Sequence, residues 1–255
     1  PATGRLVLSP KKTLPTAHAY LHEFHAHEDG PTLYDYGGFL WLWKGNKFVE
    51  IEPGRLAQQL HTWLHGALRY SFNRETKTHE LLDFDGNPAT VAHALATIRA
   101  VSHLPATTPA PTWIGGDPPV PILELIPCKT MNLHIPTGRT MPATPRLFGF
   151  NAIDFDFDPH APDPTRWLAF LDELFGSDTQ SIDLLQEWFG YCLTADTSQQ
   201  KMLLVVGPRR SGKGTIARVL TKLVGTGNFV GPTVSGLAGE FGLQPLLGKS
   251  LAVVS

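Results

Sequence analysis

Cysteine is nearly absent: Cys128 and Cys192 are the only two in 255 residues, far apart and in no C-x-x-C pair. That argues against a disulfide framework or a zinc ribbon and for a reducing compartment. Charge is scarce as well. Only 17% of the residues are charged and the formal net charge is −2, so no global basic field exists to hold nucleic acid. Any such contact has to come from a local patch or from the ring of an oligomer. No window approaches ~18 uninterrupted apolar residues, and the first residues lack the charged-then-apolar pattern of a secretory leader. Internal repeats are absent too. What is present is 42% hydrophobic residues, enough for a proper core, in a length that accommodates two ordinary domains or one large one. The chain opens on Pro1 rather than Met and reads as a piece of something longer.

Residues 1–104 read as a small N-terminal α/β module. After a polar, histidine-rich start, TLYDYGGFLWLWKGNKFVEI (32–51) breaks at Gly37-Gly38 and at Lys44-Gly45-Asn46, which predicts a three-stranded antiparallel meander. Pro53-Gly54 ends it. Leu56, Leu60, Trp63, Leu64 and Leu68 then recur at helical spacing, and a second helix is expected after the cap Asn87-Pro88. Residues 105–160 begin with a proline-rich strap (105–121), followed by short strands at 122–126 and 131–135. Residues 161–198 predict two helices. The first opens at Asp163-Pro164, carries Trp167, Leu168, Leu171, Leu174 and Phe175 on one face, and closes at Gly176. The second carries Ile182, Leu185, Phe189 and Cys192. In residues 199–255, LLVV (203–206) reads as a buried parallel strand, TIARVLTKL as a helix, and LAVVS (251–255) as another strand.

Between strand and helix lies Gly207-Pro208-Arg209-Arg210-Ser211-Gly212-Lys213-Gly214-Thr215, a phosphate-loop pattern G-x-x-x-x-G-K with Gly214 where Ser or Thr is usual. Such a loop works mainly through backbone N–H groups that converge at a helix start, where the dipole favours an anion. Gly207 permits the sharp turn and Gly212 a close approach, while Lys213 brings a cation to the β- and γ-phosphates. Gly214 removes only the direct metal hydroxyl, and Thr215 one place later serves Mg²⁺ directly or through water. The expected ligand is therefore a nucleoside triphosphate with Mg²⁺, at a working variant of the loop. Arg209 and Arg210 either add charge near the phosphates or face solvent, the latter being favoured. The segment shows no acid to activate water; LAVVS is the strand beside which one is expected.

The stretches FNAIDFDFDPHAPDPTRWLAFLDELFG, LLQEWFGYCLTADTSQQKMLLVVGPRRSGKGTIARVLTKLVG and FGLQPLLGKSLAVVS resemble phage and plasmid primase–helicases of the satellite-phage type and, more distantly, the poxvirus primase-helicase. TLYDYGGFLWLWKGNKFVEI and its following helix are similar to the domain that precedes the motor in that family, so the likeness runs from about residue 18 onward. The resemblance implies a superfamily 3 helicase: a helical collar over 161–198, then an AAA+-like P-loop ATPase with a parallel sheet, truncated in this chain. It implies Lys213 as the essential lysine, single-stranded or forked DNA as partner, a homo-hexameric ring and an upstream primase-type domain. It also implies no membrane, and a phage, prophage or plasmid gene product acting in the cytoplasm of a bacterial host. Residues 1–255 alone are expected to bind nucleotide weakly and to hydrolyse it poorly.

Other groups have two readings. His18, His22 and His25, with Glu23, His27, Glu28 and Asp29, could hold zinc at i, i+4 spacing, but no H-E-x-x-H is present and a solvated helix is favoured. Asp154, Asp156 and Asp158 alternate as if on one side of a strand, which could serve two-metal chemistry; the resemblance makes the stretch a connecting strand and a turn at Pro159 leading into the collar, which is preferred. Phe39, Trp41 and Trp43 either stack on DNA bases or pack in a core, the second being favoured. Two alternatives to a helicase remain. One is a nucleotide-binding platform for DNA or a partner, without turnover. The other is a nucleotide kinase, disfavoured because only about forty residues follow the loop, too few for a lid.

Overall fold

The computed structural model describes residues 4–254; the expected start of the first segment at residue 1 and of the last strand's end at Ser255 fall outside them. The protein is mixed α/β, with seven α-helices and several small sheets among the described residues. None of these helices is long and apolar enough to cross a membrane. Two compact units divide the chain, one of residues 4–44 and 48–109, the other of 45–47 and 110–254.

In the first unit the elements run α1 (Thr13–Phe24), β1 (Ala26–His27), β2 (Gly30–Pro31), β3 (Leu33–Tyr36), β4 (Phe39–Lys44), β5 (Lys47–Ile51), α2 (Pro53–His65), β6 (Leu68–Asn73), β7 (Thr78–Asp83), α3 (Pro88–Val101) and β8 (His103–Leu104). The expected meander forms: β5, β4 and β3 are consecutive and antiparallel, and β8 joins β3 in parallel. Gly37 and Gly38 take φ of 62° and 86°, the left-handed pair that a tight hairpin turn demands. Alternation then sorts the side chains. Leu33 and Leu40 are sealed against Leu56, Leu60, Leu64, Tyr20 and Ile98 from the three helices, while Phe39 is exposed and Trp41 and Trp43 are half-buried on the opposite face. Asn87 caps α3 as predicted, its side chain accepting from the Thr90 amide at 3.0 Å.

Two features of this unit differ from expectation. Leu68 does not extend α2. The helix stops at His65, and Leu68 opens β6, whose partner β7 makes an antiparallel hairpin with Tyr70 and Phe72 exposed. Apolar residues at 64 and 68 satisfy helical spacing, but Gly66 between them carries a high helix cost, and the chain turns there. The histidine-rich start also has more core than its composition suggests. Thr16, Ala17 and Tyr20 of α1 are buried, while His18 and His22 face solvent.

The second unit contains β9 (Thr112–Trp113), β10 (Leu125–Pro127), β11 (Met131–His134), β12 (Arg139–Pro142), β13 (Leu147–Phe148), α4 (Thr165–Phe175), α5 (Thr179–Tyr191), α6 (Lys213–Val224), β14 (Phe229–Val230), α7 (Val234–Leu237) and β15 (Leu251–Ala252). β10, β11 and β12 form an antiparallel sheet, β9 pairs with β13, and β14 pairs with β15 in parallel. Leu171 of α4, Leu185 and Phe189 of α5, Ile216, Leu220 and Val224 of α6 and Leu251 of β15 share one core. Within α4 the apolar face is set slightly differently from the prediction. Leu168 is 43% exposed, and Phe170 packs against the core in its place.

The larger correction concerns LLVV. Residues 203–206 are not a strand, and Leu204 and Val206 are 84% and 83% exposed. A continuous apolar run becomes a buried strand only when partners flank it and both faces are covered. Here the nearby parallel pairing amounts to the two residues each of β14 and β15, and neither partner reaches 203–206. LAVVS contributes only Leu251 and Ala252 to β15, extended by a bond from the Val253 amide to the Val230 carbonyl at 2.9 Å.

Candidate functional site

α6 begins where the loop ends. Its N-cap, Gly212, takes the left-handed conformation (φ 79°) and offers no side chain to the first-turn amides. The loop curls tightly enough for the Lys213 ammonium to reach back six residues. Nζ donates to the carbonyls of Gly207 and Pro208, both at 2.7 Å, and lies 3.3 Å from Ser211 Oγ. At two glycines a side chain would crowd a neighbour. A Cβ at Gly207 would sit 2.7 Å from Ser211 Oγ, and one at Gly212 would sit 2.9 Å from the Phe170 ring. Gly214 is different, because a Cβ there would meet only Arg218 Nη1 at 3.6 Å, so packing does not demand glycine at that position.

Beside the loop opens a cleft of about 560 Å³. One wall is Phe170, Glu173 and Leu174 of α4; the other is Arg210 through Thr215 with Arg218. Arg210, at φ 64°, lines it; Arg209 and Pro208 are exposed and do not. Sequence reasoning missed the α4 wall, since nothing in the spacing of Phe170 or Glu173 ties them to a loop forty residues on. The cleft offers an anion a helix start without a side-chain cap, a lysine held only by neutral oxygens, and two further guanidinium groups.

Thr215 lines the cleft, but its hydroxyl oxygen accepts from Arg218 Nη2 at 2.9 Å. A metal bound directly there would have to displace a guanidinium and sit beside its charge, which fits poorly. The residues would fit better a Mg²⁺ carried in by a phosphate-bearing ligand, with Thr215 reached through water.

The other candidates do not converge. Among the described residues no group of three or more His, Cys, Asp or Glu could hold a metal ion. His18 and His22 face solvent, whereas His25 is buried with both ring nitrogens unpartnered, and desolvation lowers its pKa to about 4. Asp156 accepts from the amide and hydroxyl of Thr130, bonds that hold its carboxyl below the usual range, and Asp158 accepts from the His160 amide. The three aspartates lie in irregular chain before α4: the turn at Pro159 is present, but the expected connecting strand is not. Trp41 donates to the Tyr36 carbonyl at 3.1 Å and Trp43 packs edge-on against His27, so both are engaged within their own unit. Cys192 is buried, and desolvation pushes its thiol up to about 11, far from a nucleophile's range.

No family model matches the chain, and no curated protein matches it.

Proposed function

We propose that residues 207–215 bind the phosphates of ATP, and that the chain is the ATP-dependent DNA helicase module of a phage or plasmid primase–helicase. The fold it would use is an AAA+-like P-loop domain preceded by a collar of α4 and α5. It would act as a homo-hexameric ring on single-stranded or forked DNA. The observation that carries this reading is the Lys213 ammonium, folded back onto the Gly207 and Pro208 carbonyls at the mouth of an uncapped helix. Neutral carbonyls hold the cation without cancelling its charge. An incoming triphosphate can therefore take the place of the carbonyls, adding ion pairing to the hydrogen bonds the ammonium already makes.

A second reading, a nucleotide-binding platform without turnover, draws support from the chemistry of the cleft. Among the described residues Glu173 is the one carboxylate lining it, and it comes from α4 rather than from a strand beside the loop. One experiment addresses both readings: calorimetric titration with ATP and Mg²⁺, paired with ATP turnover in the presence and absence of single-stranded DNA. Binding that Lys213→Ala abolishes, with turnover that is slow, as expected of these residues alone, yet rises when DNA is added, supports the helicase. Lys213-dependent binding with no turnover supports the platform. An absence of ATP binding to the unmodified protein sinks both.

A further inference from the structure

We infer that Phe170 is the positioning residue of the phosphate loop, holding Gly212 in the left-handed turn from which the first amides of α6 face the cleft. This rests on the nucleotide reading above and adds to it a wall of α4 that sequence motifs do not mark.

Glycine populates positive and negative φ about equally, so Gly212 does not select its own conformation. The chain before it does not select it either. Residues 204–210 are exposed, and 203–206 lack strand partners. The constraint lies on the other side. A Cβ built on Gly212 would meet Phe170 Cζ at 2.9 Å, Phe170 Cε2 at 3.2 Å and Leu174 Cδ1 at 3.5 Å, so the ring lies directly over the glycine. That ring is itself held. Phe170 stacks on Trp167, with centroids 5.5 Å apart and planes at 26°, and Trp167 stacks on Phe189 of α5 at 5.6 Å and 22°. Phe189 and the neighbouring Leu171 are buried in the core. A three-ring column thus runs from the core of the second unit to the apex of the loop.

A ring that fixes one conformation of the loop raises anion affinity by keeping the binding-competent state populated, without touching the anion. Its removal should weaken every polyphosphate alike, because the effect acts on the amide cradle rather than on a base or ribose.

The test is a double-mutant cycle read by calorimetry with two probes, ATP and inorganic tripolyphosphate. Phe170→Ala is expected to weaken both by about tenfold. Gly212→Ala alone should weaken both further, through backbone strain and collision with the ring. In Phe170→Ala/Gly212→Ala the collision is gone and only the strain remains, so the combined loss should fall short of the product of the single losses by about fivefold or more. Trp167→Phe thins the column without lining the cleft and should cost about twofold for both probes, which keeps the test open if Phe170→Ala does not fold. The inference is overturned if Phe170→Ala and Trp167→Phe bind both probes as the unmodified protein does, or if the losses simply multiply. It is also overturned if Phe170→Ala weakens ATP while leaving tripolyphosphate unchanged, which would make Phe170 a nucleoside contact. If the unmodified protein binds neither probe, what fails is the nucleotide reading itself.

Discussion

α5 and α6 begin with the same backbone problem and meet it in opposite ways. Each helix start presents N–H groups without intrahelical acceptors and a partial positive charge. At α5, Asp178 fills the position: its carboxylate accepts from the Ser181 amide at 3.1 Å and the Ser181 hydroxyl at 2.7 Å. At α6 the cap is Gly212, with no side chain, and the first helical residue is a lysine. A cation in the first turn opposes the helix dipole, an arrangement that costs stability until an anion arrives. The contrast separates two uses of one feature. A helix start that carries its own acid is closed; the start of α6, with a lysine and no side-chain cap, leaves its first amides open, which is the arrangement the proposed phosphate site would use.

The strongest way to break this comparison is to remove the base. Lys213→Ala should lower ATP affinity by at least about a hundredfold, or ~2.7 kcal/mol, with the melting temperature unchanged or slightly raised as a cation leaves the dipole's positive end. Calorimetry and thermal melts read the two effects separately. Unchanged affinity would mean that the amides, or Arg210 and Arg218, suffice without it.

Next in size is a substitution that makes α6 resemble α5. Ser211 Oγ already lies 3.3 Å from Lys213 Nζ, so Ser211→Asp places a carboxylate where it can pair with the lysine and stand in for a phosphate. ATP affinity should fall by about thirtyfold, or ~2 kcal/mol, while thermal stability holds or rises. Equal ATP binding by this variant would show that the anion seats elsewhere in the cleft. The reverse operation on a closed helix start affects stability alone. Asn87→Ala uncaps α3 and should cost about 1 kcal/mol in urea denaturation, with no change in ATP titration.

The same contrast explains how far the sequence could be read. Caps and turns are local chemistry, so Asn87, Gly37-Gly38 and Gly176 marked their elements at the expected places, and Gly212 stood where a positive φ and a crowding ring favour glycine. Elements that need distant partners were less legible. LLVV has the composition of a buried strand, yet its pairing depends on neighbours that no local signal specifies, and 203–206 stay unpaired. The β6–β7 hairpin was missed because its faces are not cleanly alternating: Tyr70, Phe72, Leu81 and Leu82 are all exposed. At the candidate site the loop was visible as a motif, but Phe170 and Glu173 reach it only through the packing of α4 against α6. His25 shows the same limit, since a histidine-rich stretch gave no sign that one ring would be sealed in a core while its neighbours face water.

The smallest expected effect concerns acid. Asp178 is fully exposed, and the Ser181 side-chain and backbone bonds lower its pKa below the ordinary 3.8. A carboxyl lowered by folding contributes stability that is complete above its unfolded pKa and lost as pH falls through the lower folded value. Asp178→Asn keeps an oxygen for the Ser181 amide but carries no charge, so its cap is indifferent to pH. The unmodified protein should therefore melt slightly above Asp178→Asn at neutral pH, and the gap should close as the solution is acidified below about pH 4. Other lowered carboxylates such as Asp156 and Asp196 are present in both proteins and cancel in the difference. A gap that persists in acid would mean that Asp178 acts through shape alone, and that charge at a helix start is not what distinguishes the closed end of α5 from the open end of α6.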